Sequence, residues 1–185
     1  MYISYDEYQV FTRRTAGCDE LPVLALGLVG ESIEFLSAFE ALQSLNADTS
    51  LVDMTDLLTK EAGDILWYCA RILDVIDTRF ESWYSRATVD NFNDTCTERD
   101  RRFRILEHVA IVTEHIKKVY GHGHDMDTDL IHMAISNVTT DVVHIAKAVH
   151  GKFGPETVMR KNIEKLRKRY PEGFSTERSV NRNSG

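Results

Sequence analysis

Apolar residues recur at steps of three and four along almost the whole chain, and no segment alternates strictly for long enough to make a strand. Leu26, Val29, Ile33, Leu36 and Phe39 fall on one helical stripe, and Leu58, Ala62, Ile65, Cys69, Ile72 and Ile76 form a second. The spacing predicts a short helix near 5–16, long helices near 22–45 and 53–79, and further helices near 81–92, 98–120, 127–150 and 155–170. The prolines, Pro22, Pro155 and Pro171, stand where helices begin or end. Thr97-x-x-Asp100 is placed to start the fifth helix and Gly121 to end it, while Pro155 followed by Glu156 suits the first turn of the last. The expected fold class is all-α, an antiparallel helical bundle.

At 185 residues the chain is long enough for one sizeable core, or for two small units sharing one. Residues 1–174 are read as a single domain and 175–185 as a polar, mobile tail. Asp53-Met-Thr-Asp-Leu-Leu resembles Asp125-Met-Asp-Thr-Asp-Leu-Ile, so the domain either stands as one unit or divides into related halves, near 20–90 and 98–174, with a pseudo-twofold axis between them. A net charge of −7 argues against an extended nucleic-acid surface, which needs a basic face, but leaves room for a small phosphorylated ligand bridged by metal. Cys18, Cys69 and Cys96 are widely spaced with no CxxC pair, as expected of reduced thiols in a cytoplasm. The start carries neither a basic region nor an apolar run, and no stretch counts as the roughly 18 apolar residues of a membrane helix, so no membrane partner is expected.

The chemistry lies in the acids. Glu31-Ser-Ile-Glu34 and Glu61-Ala-Gly-Asp64 each place two carboxylates three residues apart, on one helical face. No Lys or Arg at the following i+4 position offsets their repulsion, whereas a bound cation would. The four acids border the apolar stripes, which puts them at a helix seam, and Gly27 and Gly30 one turn earlier suggest close approach of a ligand or helix. Four carboxylates suit Mg²⁺, with Mn²⁺ as a substitute, because such ions take hard oxygen ligands and are shared with substrate phosphates. A single ExxE is ordinarily a solvated charged face; two pairs with the glycines shift the balance toward metal.

These motifs, with Gly27-Leu28-Val29-Gly30-Glu31 and Glu61-Ala-Gly-Asp64-Ile-Leu-Trp-Tyr68 around them, resemble the MazG-like all-α nucleoside triphosphate pyrophosphohydrolases. Asn162-Ile-Glu-Lys165-Leu-Arg-Lys-Arg169-Tyr-Pro-Glu-Gly-Phe174 resembles the closing segment of the same family, phage-type members above all, and Tyr8-Gln-Val-Phe-Thr12 is similar to its opening. The resemblance implies Mg²⁺-dependent cleavage of a nucleoside triphosphate, a deoxynucleotide included, to monophosphate and pyrophosphate, by a cytoplasmic homo-oligomer that controls the nucleotide pool. For a phage-encoded member the cytoplasm is the host's. It implies Glu31, Glu34, Glu61 and Asp64 as catalytic metal ligands, and Asn162, Lys165 and Arg169 as residues facing the substrate phosphates. Independently, those last three recur at i, i+3 and i+7 on one helical face.

The chain departs from the family pattern in its middle. About 95 residues separate Trp67 from the matching C-terminal segment, and no ExxE or ExxD occurs between residues 105 and 145. The reading that follows is two fused or duplicated units building one composite site, the first keeping the acids and the second the phosphate-binding end. The alternative is a non-catalytic helical interaction module derived from such an enzyme. Tyr68, one turn beyond Asp64, is placed to bind substrate by stacking on a base or to support the acids, and Trp67 to pack at a helix interface. The His122 and His124 loop, and the Asp129/His132 and Asp141/His144 pairs, are weaker metal candidates, because neither set completes a coordination sphere. Arg101, Arg102, Lys117 and Lys118 read as a solvated charged face.

Overall fold

The computed structural model describes residues 3–44, 51–80, 96–150 and 154–180. Among them are seven helices and no strand: α1 (Tyr5–Arg13), α2 (Leu21–Gln43), α3 (Leu51–Val75), α4 (Glu98–His122), α5 (Thr128–His150), α6 (Pro155–Arg169) and α7 (Thr176–Val180). The chain is all-α, as the periodicity requires. α2 and α3 pair as one helical hairpin and α4 and α5 as another; the hairpins pack with α2 on α4 and α3 on α5, while α1 and α6 lie against α3. The helix expected near 81–92 falls outside the described residues. In the segment read as a tail, residues 176–180 form the short α7, and 181–185 lie outside the description.

The ends of the helices follow their capping chemistry. Ser4 and Glu7 close a capping box on α1, and Thr97 and Asp100 close another on α4, with the Thr97 hydroxyl accepting from the Asp100 amide at 3.2 Å. Pro22 sits in the first turn of α2 and Pro155 opens α6, where a missing amide hydrogen costs nothing. α4 runs past Gly121 and stops at Gly123, whose φ of 70° supplies the left-handed cap.

The second apolar stripe is buried as expected: Leu58, Ala62, Ile65, Cys69 and Ile72 are all in the core, with Ile76 partly buried beyond the helix end. The first is buried only in part: Phe39 is in the core and Val29 and Leu36 pack against it, but Leu26 is 72% and Ile33 53% exposed, and the rest of the buried face of α2 is Leu24, Leu28 and Phe35. α2 is apolar nearly all round, so its periodicity does not select a face. By length and composition α2 is also apolar enough to cross a membrane, contrary to the sequence count, with 39% of that stretch buried inside this fold.

Arg101 is no surface residue either. It is buried and donates to the fully buried Asp141 at 2.7 Å, with Arg104 at 3.3 Å from the other Asp141 oxygen. Burial raises the Asp141 carboxyl against the pull of Arg104 and Arg101. A charged pair thus ties α4 to α5 inside the bundle. Arg102 lies over the Phe39 ring and pairs with Glu40, linking α4 to α2. Lys117 and Lys118 do pair with Glu114 on an exposed face.

α1 is fastened to α3 and to the residues that follow it by polar contacts as well as by Tyr8 in the core. Gln9 donates to the Thr78 carbonyl at 2.8 Å and accepts from the Phe80 amide at 3.2 Å. Arg13 forks onto Asp74 at 2.6 and 3.0 Å.

Candidate metal and phosphate site

The α2–α3 hairpin turns its two acidic pairs toward each other. Carboxylate oxygens of Glu31, Glu34 and Glu61 lie within 4.8 Å of one another. Asp64, one turn further along α3, lines the same cavity of about 680 Å³. Burial, followed by the charges of Asp64, Glu34 and Glu61, pushes the Glu31 carboxyl up to about 7, with Lys165 opposing. Glu61 is raised by burial and then by Asp64, again against Lys165. Such a cluster holds more negative charge than its surroundings neutralise.

The donor set fits a hard divalent cation. Ligands on opposite sides of Mg²⁺ stand about 4.2 Å apart, twice its bond length, so small side-chain rotations suffice to bring the three acids onto one ion. Among the described residues no His or Cys joins the cluster.

Asp64 is held differently from the other three. Its Oδ1 accepts from Asn162 Nδ2 at 2.9 Å, and its Oδ2 accepts from the Lys165 ammonium. Both donors come from α6, which is clamped to α3 a second time by Lys161 and Asp56 at 2.7 Å. Lys165 and Arg169 line the cavity with the acids, so α6 brings its cations to the metal-ligand candidates.

Asn162 does not face the cavity. It is 2% exposed, and its amide is used on both sides: Nδ2 on Asp64, and Oδ1 accepting from the Tyr8 hydroxyl at 2.7 Å. Burial, then the Asp64 charge, raises Tyr8 well above the usual phenol range, so it keeps its proton. The contact implied between Asn162 and phosphate is therefore replaced by one behind Asp64.

An aromatic wall continues from the acids. Tyr68 lies against Gly27, where an added Cβ would stand 2.2 Å from the ring; this close approach explains that glycine. Gly30, by contrast, has nothing within 4 Å of such an atom, and nothing in the structure explains it. Trp67 meets Tyr68 edge to face at 5.0 Å, donates to the Thr15 hydroxyl at 2.8 Å, and lines the cavity as well as packing on the core. Phe174 and Tyr170 border the far side, with the Phe174 ring closed over Gly17.

The other candidates disperse. His122 and His124 pair edge to face on an exposed turn, at 6.4 Å between centroids. His132 contacts the Arg79 carbonyl at 3.0 Å, and Asp141 belongs to the arginine pair. Residues that sequence reasoning left without a role are Tyr8, Gly63 and Lys60. Lys60 lines the cavity, and Gly63 stands where α3 receives Asn162. An unexplained glycine inside the ExxD motif was the available signal for Gly63.

No family model matches the chain, and no solved structure matches it. Among curated proteins it is similar to the Gene 37 protein of Mycobacterium phage L5, 29% identical over 105 residues that cover 52% of this chain and 89% of that protein.

Proposed function

We propose that the protein hydrolyses a nucleoside triphosphate, ribo or deoxy, to the monophosphate and pyrophosphate with Mg²⁺, and so controls a nucleotide pool. The observation that carries this reading is the meeting of Lys165 and Asp64: residues matching two separated motifs of the MazG-like family come together in one cavity. Glu31, Glu34, Glu61 and Asp64 hold the cation, with Mn²⁺ able to replace Mg²⁺. A cation held by these acids would supply neutralisation of phosphate charge and a water acidified for in-line attack. Lys165 and Arg169 draw the phosphates to the cavity, and Tyr68 stacks on the base. The similarity to a phage protein fits a phage-type enzyme at work in the cytoplasm of a host.

Two related halves are part of the proposal. Thr55-Asp56-Leu57-Leu58, one turn into α3, and Thr128-Asp129-Leu130-Ile131, at the start of α5, both lie near the beginning of the second helix of a hairpin. In that register the buried Leu58, Ala62, Ile65, Cys69 and Ile72 match the buried Ile131, Ile135, Val138, Val142 and Ile145, while Glu61 and Asp64 fall opposite Ala134 and Asn137. A second hairpin that has lost its acids explains why one chain carries one acidic cluster among its described residues. Self-association belongs to the same reading, since Val23, Leu26 and Ile33 leave an exposed apolar line on α2.

The test is incubation with ribo- and deoxynucleoside triphosphates and Mg²⁺, resolving monophosphate, diphosphate, pyrophosphate and phosphate. Monophosphate with pyrophosphate is expected. Turnover of none of them, in protein that stays folded, removes the enzymatic reading and leaves the helical interaction module.

A further inference from the structure

We infer that Tyr8 is a positioning residue for this site, acting through Asn162 to fix the carboxylate of Asp64; the inference rests on the proposed metal-dependent function. The contacts form one directed series. Tyr8 OH donates to Asn162 Oδ1 at 2.7 Å, Asn162 Nδ2 donates to Asp64 Oδ1 at 2.9 Å, and Lys165 takes the other Asp64 oxygen. A carboxylate only accepts, so the amide must turn its NH₂ to Asp64, which leaves Oδ1 pointing to Tyr8. Tyr8 must then supply the hydrogen. Its other neighbour, the Gly63 carbonyl at 3.2 Å, lies inside α3, where helical bonding already serves it.

Every member of this series except the Asp64–Lys165 end is shut away from solvent, with Tyr8 fully buried and Asn162 nearly so. Without the phenol hydroxyl, Asn162 Oδ1 has no hydrogen-bond donor and the amide no reason to hold one orientation. Gly63 gives the amide its room: an added Cβ there would come 3.0 Å from Nδ2. Tyr8 is on α1, a helix that contributes no acid to the cluster, and its shorter contact, to Asn162, is the one that leads to an Asp64 oxygen. α1 is otherwise secured by Gln9 and Arg13, which provides a control that loosens the helix without touching the series.

The experiment is calorimetric titration of the full chain with Mn²⁺ alone, comparing wild type, Tyr8→Phe, Asn162→Leu, the double variant and Gln9→Ala, each checked for helicity. Tyr8→Phe is expected to weaken Mn²⁺ about tenfold, as loss of a partner behind a metal ligand does. Asn162→Leu is expected to weaken it at least as much, and the double variant no more than Asn162→Leu, because the two act as one unit. Gln9→Ala is expected to bind as wild type. Should Tyr8→Phe fail to fold, Asn162→Leu against Gln9→Ala decides. Wild-type affinity in Tyr8→Phe or Asn162→Leu, additive losses in the double variant, or equal weakening in Gln9→Ala each overturns the positioning role. Wild-type protein that binds no Mn²⁺ overturns the proposed function and this role with it; wild-type protein that binds and hydrolyses while Tyr8→Phe keeps its affinity overturns this role alone.

Discussion

Gly63 and Asn162 meet so closely that a Cβ on the glycine would lie 2.8 Å from the Cβ of the asparagine. The glycine in the middle of Glu61-Ala-Gly-Asp64 thus lets α6 reach the acid beside it. Gly63→Ala should push Asn162 off Asp64. We expect kcat/KM to fall about 10- to 100-fold, the scale of a misplacement near 1 Å. Stability should change by less than about 2 kcal/mol, since a helix-propensity gain of about 1 kcal/mol offsets part of the overpacking. Steady-state kinetics beside a thermal melt checks both; an unchanged kcat/KM would show that the contact does not matter to turnover.

Lys165 has two partners in succession on this account, Asp64 before substrate arrives and phosphate afterwards. Lys165→Met should therefore act with opposite signs. Mn²⁺ alone should bind more tightly, because a competing cation is gone, while kcat/KM for the triphosphate should drop about 100-fold or more with loss of a charged phosphate contact. Weaker binding of Mn²⁺ alone would contradict the exchange.

Glu31 ties stability to pH. Its carboxyl lies at about 7 in the folded protein against an ordinary 4.5, so the folded state binds the proton more tightly than the unfolded chain. That contribution is full below about 4.5 and is lost as pH rises through about 7. Mg²⁺ takes the proton's place, so the rise in melting temperature that Mg²⁺ gives should be small at pH 5 and grow toward pH 8. Glu31→Gln should flatten the pH dependence of the metal-free protein. A Mg²⁺ effect of the same size at both ends of the range would refute the assignment.

The buried Arg101 to Asp141 pair marks the second hairpin as scaffold. Arg101→Met leaves a buried carboxylate with Arg104 alone, and should cost about 3 kcal/mol, the low end for breaking a buried pair. Kinetics measured below the lowered melting point should match wild type. A specific loss of turnover there would mean that the second hairpin does more than support the first.

How far the sequence could be read depended on how uneven each helix was. α3 has charge at Lys60, Glu61 and Asp64 beside an apolar stripe, so its buried side is legible from spacing. Residues 21–30 of α2 carry no polar side chain, and the stripe read through Leu26 and Ile33 puts those two toward solvent although Phe39 is buried. The acids were legible because like charges three residues apart on a seam demand an explanation. Asn162, Lys165 and Arg169 were legible as one face, but a helical face does not say which of its members is covered; packing of α6 on α3 buries the first and leaves the other two along the cavity. Tyr8 to Asn162 joins residues 154 apart, a pairing no local pattern encodes.

Asp64 and Lys165 are separated by 101 residues. During synthesis every carboxylate of the cluster therefore leaves the ribosome well before the ammonium that will balance one of them. A chain interrupted before residue 155 owns the acids and lacks α6, so the cavity that joins carboxylates to ammonium is assembled only with the last long helix.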